Sequence, residues 1–218
     1  PDRLAVMLLA DPTKEPEEAC DFLRTLHGKG CCGVRFNPYL WPEGQQIDNP
    51  TGVEMYKVAG ELGMPVGVMA FKGLKPLAEP LRHLAAEAPA TPLIIDHWGF
   101  FRDDPASPPA AQAVDEEAFE LLLALAQDIP QLYVKISALF RVSGTGGPQY
   151  DDLRPRFQRL VDVLGSRRLM YGSDFPFVQL HEGQYGASVE AVRAWVSELD
   201  PEDAARILGG TAAELFNM

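Results

Sequence analysis

Six short apolar runs alternate with longer amphipathic stretches along the whole chain. The runs 4–9, 33–36, 65–71, 93–96, 132–136 and 169–171 are brief and almost continuously apolar. Glycine, proline or aspartate bounds most of them, which is the pattern of strands buried on both faces in a parallel sheet. Between them apolar residues recur at helical spacing. Ala19, Phe22, Leu23 and Leu26 form one stripe, with Gly28 and Gly30 just beyond it. A weaker helix over 52–62 is closed by Gly63. Further stripes are Leu77, Leu81, Leu84 and Ala88; Phe119, Leu122, Leu123 and Ala126; and Leu153, Phe157, Leu160, Val161 and Leu164. Val189, Val192, Val196 and Leu199 make the next, and the chain ends in helical 201–208 and a short turn over 211–216. Strand and helix alternate at roughly 27–40 residues per unit, within the range of βαβ repeats. No Gly/Ser linker or charge block interrupts them, so 1–218 is predicted to be one α/β domain.

The connections are asymmetric. Helix-to-strand turns are short, as in 28–32 and 62–64, whereas strand-to-helix loops are long and rich in aromatics, prolines and charge. Ligand chemistry in α/β folds sits at the carboxyl ends of the strands, where those long loops lie. Two strands deliver candidate chemistry there. The run ending in Gly172-Ser173-Asp174 brings a carboxylate to a loop mouth, as metal ligand or general base, or equally as a helix cap. The run ending in Asp96-His97 brings an acid and an imidazole, for which a core histidine satisfied by a backbone carbonyl is an equal alternative. Arg35 and Arg141 stand at strand mouths and suit bidentate recognition of a carboxylate, or a salt bridge across the mouth. Lys72 and Lys135 rank below them, and Lys135 shares a strand face with Ser137. His181 is a second-rank candidate; His27 lies in a helix's last turn and His83 mid-helix. Tyr39 and Trp41 form either a lid or plain packing.

Net charge narrows the partners. At −12 the surface argues against nucleic acid or an anionic membrane, but not against a small anionic substrate met by local arginines. The content of 46% hydrophobic and 23% charged residues is ordinary for a globular core. No apolar run approaches the roughly 20 residues of a membrane span. Cys20, Cys31 and Cys32 are odd in number and two are adjacent, so a reducing intracellular compartment, cytoplasm or organelle interior, is predicted. The first residue is Pro1, so a targeting segment would lie upstream. Dinucleotide, phosphate-loop and Gly-x-Ser-x-Gly motifs are missing, and the glycine-rich stretch 144–147 has the wrong context for a dinucleotide.

Read in order, several segments carry a resemblance: Leu-Leu-Ala-Asp-Pro at 8–12, Gly-Val-Arg-Phe-Asn-Pro at 33–38, Ile-Asp-His-Trp-Gly at 95–99, Tyr-Val-Lys-Ile-Ser at 133–137, and Gly-Ser-Asp-Phe-Pro at 172–176. With Ile-Leu-Gly-Gly-Thr-Ala-Ala-Glu-Leu-Phe at 207–216, the chain resembles the amidohydrolase-related (amidohydrolase 2) family of TIM-barrel, (β/α)8 hydrolases. Within it, the chain is most similar to the branch containing 2-pyrone-4,6-dicarboxylate lactonase, and its wording to green-plant members. The resemblance implies that the strands are the third to eighth of the barrel. It implies that Asp174 and His97 are catalytic, and that Arg35 and Arg141 bind substrate carboxylates.

Two departures shape the expectation. The family's first-strand His-x-His pair has no counterpart, and the first two βα units, about 60 residues, are missing. They are expected from the same protein or another chain, and the 218 residues by themselves are expected to be inactive. Residues 65–71 offer no histidine where metal-dependent members place a ligand, which favours the metal-independent branch. The function expected of the full-length protein is hydrolysis of a lactone or similar cyclic ester of a small carboxylated compound, with Asp174 as general base and no cofactor. One alternative is a metal-dependent decarboxylase or amidohydrolase holding zinc or manganese with His97, Asp174 and the missing histidines. Another is a non-catalytic barrel acting as a structural subunit of a larger assembly.

Overall fold

The computed structural model describes residues 4–102, 114–145, 147–181 and 183–218. Most of the long loop over 99–114, and Gly146 of the glycine-rich stretch, therefore lie outside the described residues. Six strands form one sheet in sequence order, every neighbouring pair parallel. They are β1 (Val6–Leu9), β2 (Cys31–Phe36), β3 (Val66–Val68), β4 (Leu93–Ile95), β5 (Leu132–Ile136) and β6 (Leu169–Tyr171). The crossovers carry α1 (Pro16–His27), α2 (Pro50–Glu61), α3 (Ala78–Glu87), α4 (Glu116–Asp128) and α6 (Arg154–Leu164). Before α6, a one-turn helix α5 (Leu139–Val142) lies in the loop after β5. After β6 come α7 (Gln184–Val196), α8 (Pro201–Ala205), a π-helical turn over Arg206–Gly210, and α9 (Thr211–Leu215). This is the repeating βα architecture of the (β/α)8 fold.

Local chemistry explains the element boundaries. Proline at the first turn starts α1 and α2, where its missing N–H has no helical partner to lose. Asn49 caps α2 by accepting from the Gly52 N–H at 2.8 Å, and Asp115 caps α4 by accepting from Ala118 N–H at 3.0 Å. Glu17 and Glu18 open α1 while Arg24 and His27 close it, each sign matching the helix dipole. The third strand is shorter than the 65–71 run, because after Val68 the chain turns out into the mouth.

Strands β3 and β4 are buried along their whole length, so every residue there is apolar or glycine. On α4, Phe119, Leu122, Leu123, Leu125 and Ala126 face the sheet. Truncating Leu122, which is fully buried, would cost about 2–5 kcal/mol. At the edges the picture changes. Among the described residues, β1 has only β2 as a partner and β6 only β5, and Val6 and Leu9 remain more than half exposed. Trp41 belongs to the core, packed against Phe36 with ring centroids 5.1 Å apart, whereas Tyr39 stays partly exposed. The cysteines are free thiols. Among the described residues, no helix is long and apolar enough to cross a membrane.

Candidate active site at the carboxyl ends of the strands

Arg35, His97, Arg141 and Asp174 line one cavity of about 300 Å³, together with Met69, Phe71, Phe100 and Phe177. The residues come from the ends of β2, β3, β4, β5 and β6, so the parallel sheet brings distant parts of the chain together. Backbone conformation sharpens the pattern. His97 and Asp174 both adopt positive φ, at 53° and 61°, as do Trp98 and Ala138 beside them. Non-glycine residues hold that conformation at a cost of about 1–3 kcal/mol each, and such residues concentrate at functional sites.

The charged side chains form two layers. In the deeper one, Asp96 is 2% exposed. Its Oδ1 accepts from Lys135 Nζ at 2.6 Å, and its Oδ2 pairs with an Arg35 terminal nitrogen at 2.7 Å. Burial pushes the Asp96 carboxyl upward; Lys135 and then Arg35 outweigh it and hold the group below the usual carboxylate range. Arg35 lies in register with Gly67 on β3, the strand that the Arg35–Asp96 pair spans. A Cβ on Gly67 would stand 4.0 Å from Asp96 Oδ2 and 3.1 Å from Met7 Cε. Gly172 makes room for the Lys135 stem, whose Cδ would lie 3.1 Å from an added Cβ.

In the layer nearer solvent, Asp174 Oδ2 accepts from Arg141 Nε at 2.9 Å, while Oδ1 lies 3.7 Å from His97 Nε2. That second distance is too long for a hydrogen bond. On the far side of the ring, His97 Nδ1 is 2.8 Å from Ser137 Oγ. Burial lowers the His97 pKa to about 4, against the opposing pull of Asp96 and Asp174, so the imidazole is neutral at neutral pH. The negative oxygen beside Nε2 favours the tautomer with its proton there, with the Ser137 hydroxyl donating to Nδ1. Arg141 lies over two rings, 5.0 Å from Phe140 and 5.1 Å from Phe177. It sits in α5, and Arg141 N–H bonds the Ala138 carbonyl at 2.8 Å. Edge-to-face contacts run from His97 to Phe100, on to Phe71 and out to Tyr39.

The remaining candidates lie elsewhere. His181 stacks on Phe140 at 4.0 Å, behind Arg141. His83 pairs with Asp48 on the surface, and His27 Nδ1 lies 3.2 Å from the Cys31 carbonyl. The ammonium of Lys72 sits over the Tyr39 ring. The sequence offered Asp96 as an acid beside His97 and Lys135 as a lower-ranked carboxylate binder, but neither their pairing with each other nor the apolar wall of Phe71, Phe100 and Phe177 was foreseen. The Asp-His pair and the inward phase of Lys135 were the signals for the first; the wall left no periodic signal.

A metal fits these residues poorly. Among the described residues no group of three histidine, cysteine or acidic side chains could hold a metal ion. His97 and Asp174 give two ligands, and one Asp174 oxygen is already held by Arg141.

A parallel βα architecture with an acid, an imidazole and arginines gathered at its strand mouths is the arrangement of a barrel-type active site. The amidohydrolase family model matches residues 1–218, and the chain belongs to that family. It is 31% identical over 152 residues to an L-fucono-1,5-lactonase of Burkholderia ambifaria, covering 63% of this chain and 47% of that protein. It is 30% identical over 170 residues to a 2-pyrone-4,6-dicarboxylate hydrolase of Comamonas testosteroni, covering 73% and 50%. The chain thus spans about half the length of these relatives. A crystal structure from Pseudomonas putida, described as a candidate 2-pyrone-4,6-dicarboxylic acid hydrolase, superposes with a TM-score of 0.74 at 23% identity, over all of this chain and 73% of the other.

Proposed function

We propose that the protein carrying this chain hydrolyses a lactone of a small carboxylated compound without a metal. The observation that carries the reading is the half-free carboxylate of Asp174. Arg141 fixes one oxygen, and the other lies open beside the His97 Nε2 edge in a cavity the size of a small ring. Asp174 takes a proton from water as that water attacks the lactone carbonyl. The neutral His97 donates from Nε2 to the carbonyl oxygen as negative charge develops on it. The ring C–O bond then breaks, and the proton held by Asp174 passes to the departing oxygen. Arg141 engages Asp174 through Nε and, with Arg35, offers its remaining N–H groups to a substrate carboxylate. Phe71, Phe100 and Phe177 suit a flat ring. The relatives named for lactone hydrolysis support the same class of reaction.

The reading includes further strands beside β1 and β6, from the same polypeptide or another chain, since among the described residues both edges of the sheet are unpaired and apolar residues lie exposed on β1. The deciding experiment assays the longest natural form of the protein with 2-pyrone-4,6-dicarboxylate and L-fucono-1,5-lactone, before and after exhaustive chelation. Turnover of a lactone that survives chelation is expected. Activity lost to chelator and restored by zinc or manganese would replace this reading with the metal-dependent one.

A further inference from the structure

The deep charge layer does more than brace the sheet. Asp96 is shared between two cations, each on its own oxygen, and only one of the two lines the cavity. An Arg35–Asp96 pair on its own would be neutral, and a guanidinium neutralised from behind attracts an incoming carboxylate weakly. Adding Lys135 gives the cluster a net charge of +1. In the outer layer Arg141 and Asp174 cancel, and His97 is neutral. The surplus charge of the whole site therefore depends on a lysine that does not line the cavity, within a chain whose net charge is −12. Gly172 leaves room for the Lys135 stem on its way to Asp96.

We infer that Lys135 is a positioning residue for anion selection: by occupying one oxygen of Asp96 it leaves Arg35, held on the other, with uncancelled charge facing the cavity, so the site prefers carboxylated rings to uncharged ones. The inference rests on the lactonase reading for the reaction that follows, and concerns binding alone.

The test measures equilibrium binding to the longest natural form by calorimetry. The probes are benzene-1,3-dicarboxylate, which cannot be hydrolysed, and its uncharged dimethyl ester. Lys135→Met is expected to weaken the dicarboxylate about tenfold, the size of a unit charge removed at close range in a partly wet site, and the diester by less than about twofold. Lys135→Arg restores dicarboxylate binding. Asp96→Asn combined with Lys135→Met returns the cluster to +1 and recovers part of the loss. If Lys135→Met does not fold, Lys135→Gln carries the same test, since it keeps a donor for Asp96 without the charge. Unchanged dicarboxylate affinity in both neutral variants, an equal loss for both probes, or no dicarboxylate binding by the wild type would each overturn the inference. Charge-dependent binding in a protein that opens no lactone would instead sink the lactonase reading and leave this one standing.

Discussion

Asp96 and Asp174 invite comparison because they begin alike. Each follows closely on a short buried strand, each pairs with an arginine, and each flanks His97. They differ in what happens to the second oxygen. Asp96 has both oxygens taken by cations and is 2% exposed. Asp174 has one oxygen on Arg141 and the other beside an imidazole, at the cavity wall. A carboxylate closed off by two cations is a poor proton acceptor and a good scaffold; one with an open oxygen at a cavity can act on water. The lesson is that a strand ending in aspartate marks a layer of the barrel, and the count of free oxygens assigns the role.

The largest effect expected from breaking this contrast is on catalysis. Asp174→Asn should lower turnover by about 10²–10⁴, the usual contribution of a general base. Its melting behaviour should change little, since the amide still accepts from Arg141. Steady-state rates with the best lactone check this, and unaltered turnover would move the base elsewhere. Asp96→Asn should do the opposite and strike stability first. It leaves Arg35 and Lys135 facing one another without their shared counter-charge, and removing one partner of a buried pair costs about 3–5 kcal/mol. Because the two cations keep some solvent contact, at 36% and 25% side-chain exposure, the lower end is expected from denaturant titration. Equal destabilisation by the two aspartate variants would erase the distinction between layers.

This contrast also measures what the sequence discloses. Strand and helix order was legible, because short apolar runs and helical stripes repeat through the whole chain, and the fifth and sixth strands fall on 132–136 and 169–171. The convergence of Arg35, His97, Arg141 and Asp174 on one cavity was legible from their places at strand ends. The Asp96 cluster was not, because its members come from β2, β5 and the turn after β4, and the pairing crosses an intervening strand at Gly67. Periodicity reports which face a residue lies on, not what stands opposite. Helix α5 escaped notice for a related reason: four residues are too few to show a period, yet they carry Arg141.

His97 offers a smaller and pH-dependent test. Its folded pKa of about 4 lies below the ordinary value of 6.5, so between those values the unfolded chain binds a proton that the folded one refuses. Stability should therefore be flat above pH 6.5 with respect to this residue and fall as pH drops toward 4, by about 3 kcal/mol in all. Asp96 acts outside that window: its depressed pKa gives stability that is present above the unfolded carboxylate value and lost below it. Denaturant titrations across pH 4–7 of wild type and His97→Gln isolate the slope. An identical slope in the two would mean that His97 binds its proton equally in the folded and unfolded states, and that burial does not hold the ring neutral below pH 6.5.

The smallest expected effect tests the outer layer's geometry without touching its charges. Arg141 is held between Phe140 and Phe177, and Phe177 is half exposed. An exposed cation–π contact contributes about 0.5–1 kcal/mol. Phe177→Ala frees one side of the guanidinium, and its loss should appear as a rise of about two- to fivefold in KM for a carboxylated lactone. Phe177→Tyr keeps the ring face and should behave as wild type; Phe177→Leu keeps apolar bulk without the π face and should resemble alanine. The stability of all three should stay within about 0.5 kcal/mol, as is usual for substitutions at exposed positions. If Phe177→Ala instead reduces kcat as severely as Asp174→Asn, the ring would be aligning the Arg141–Asp174 pair for chemistry, and the mouth would be as tightly coupled as the Asp96 layer beneath it.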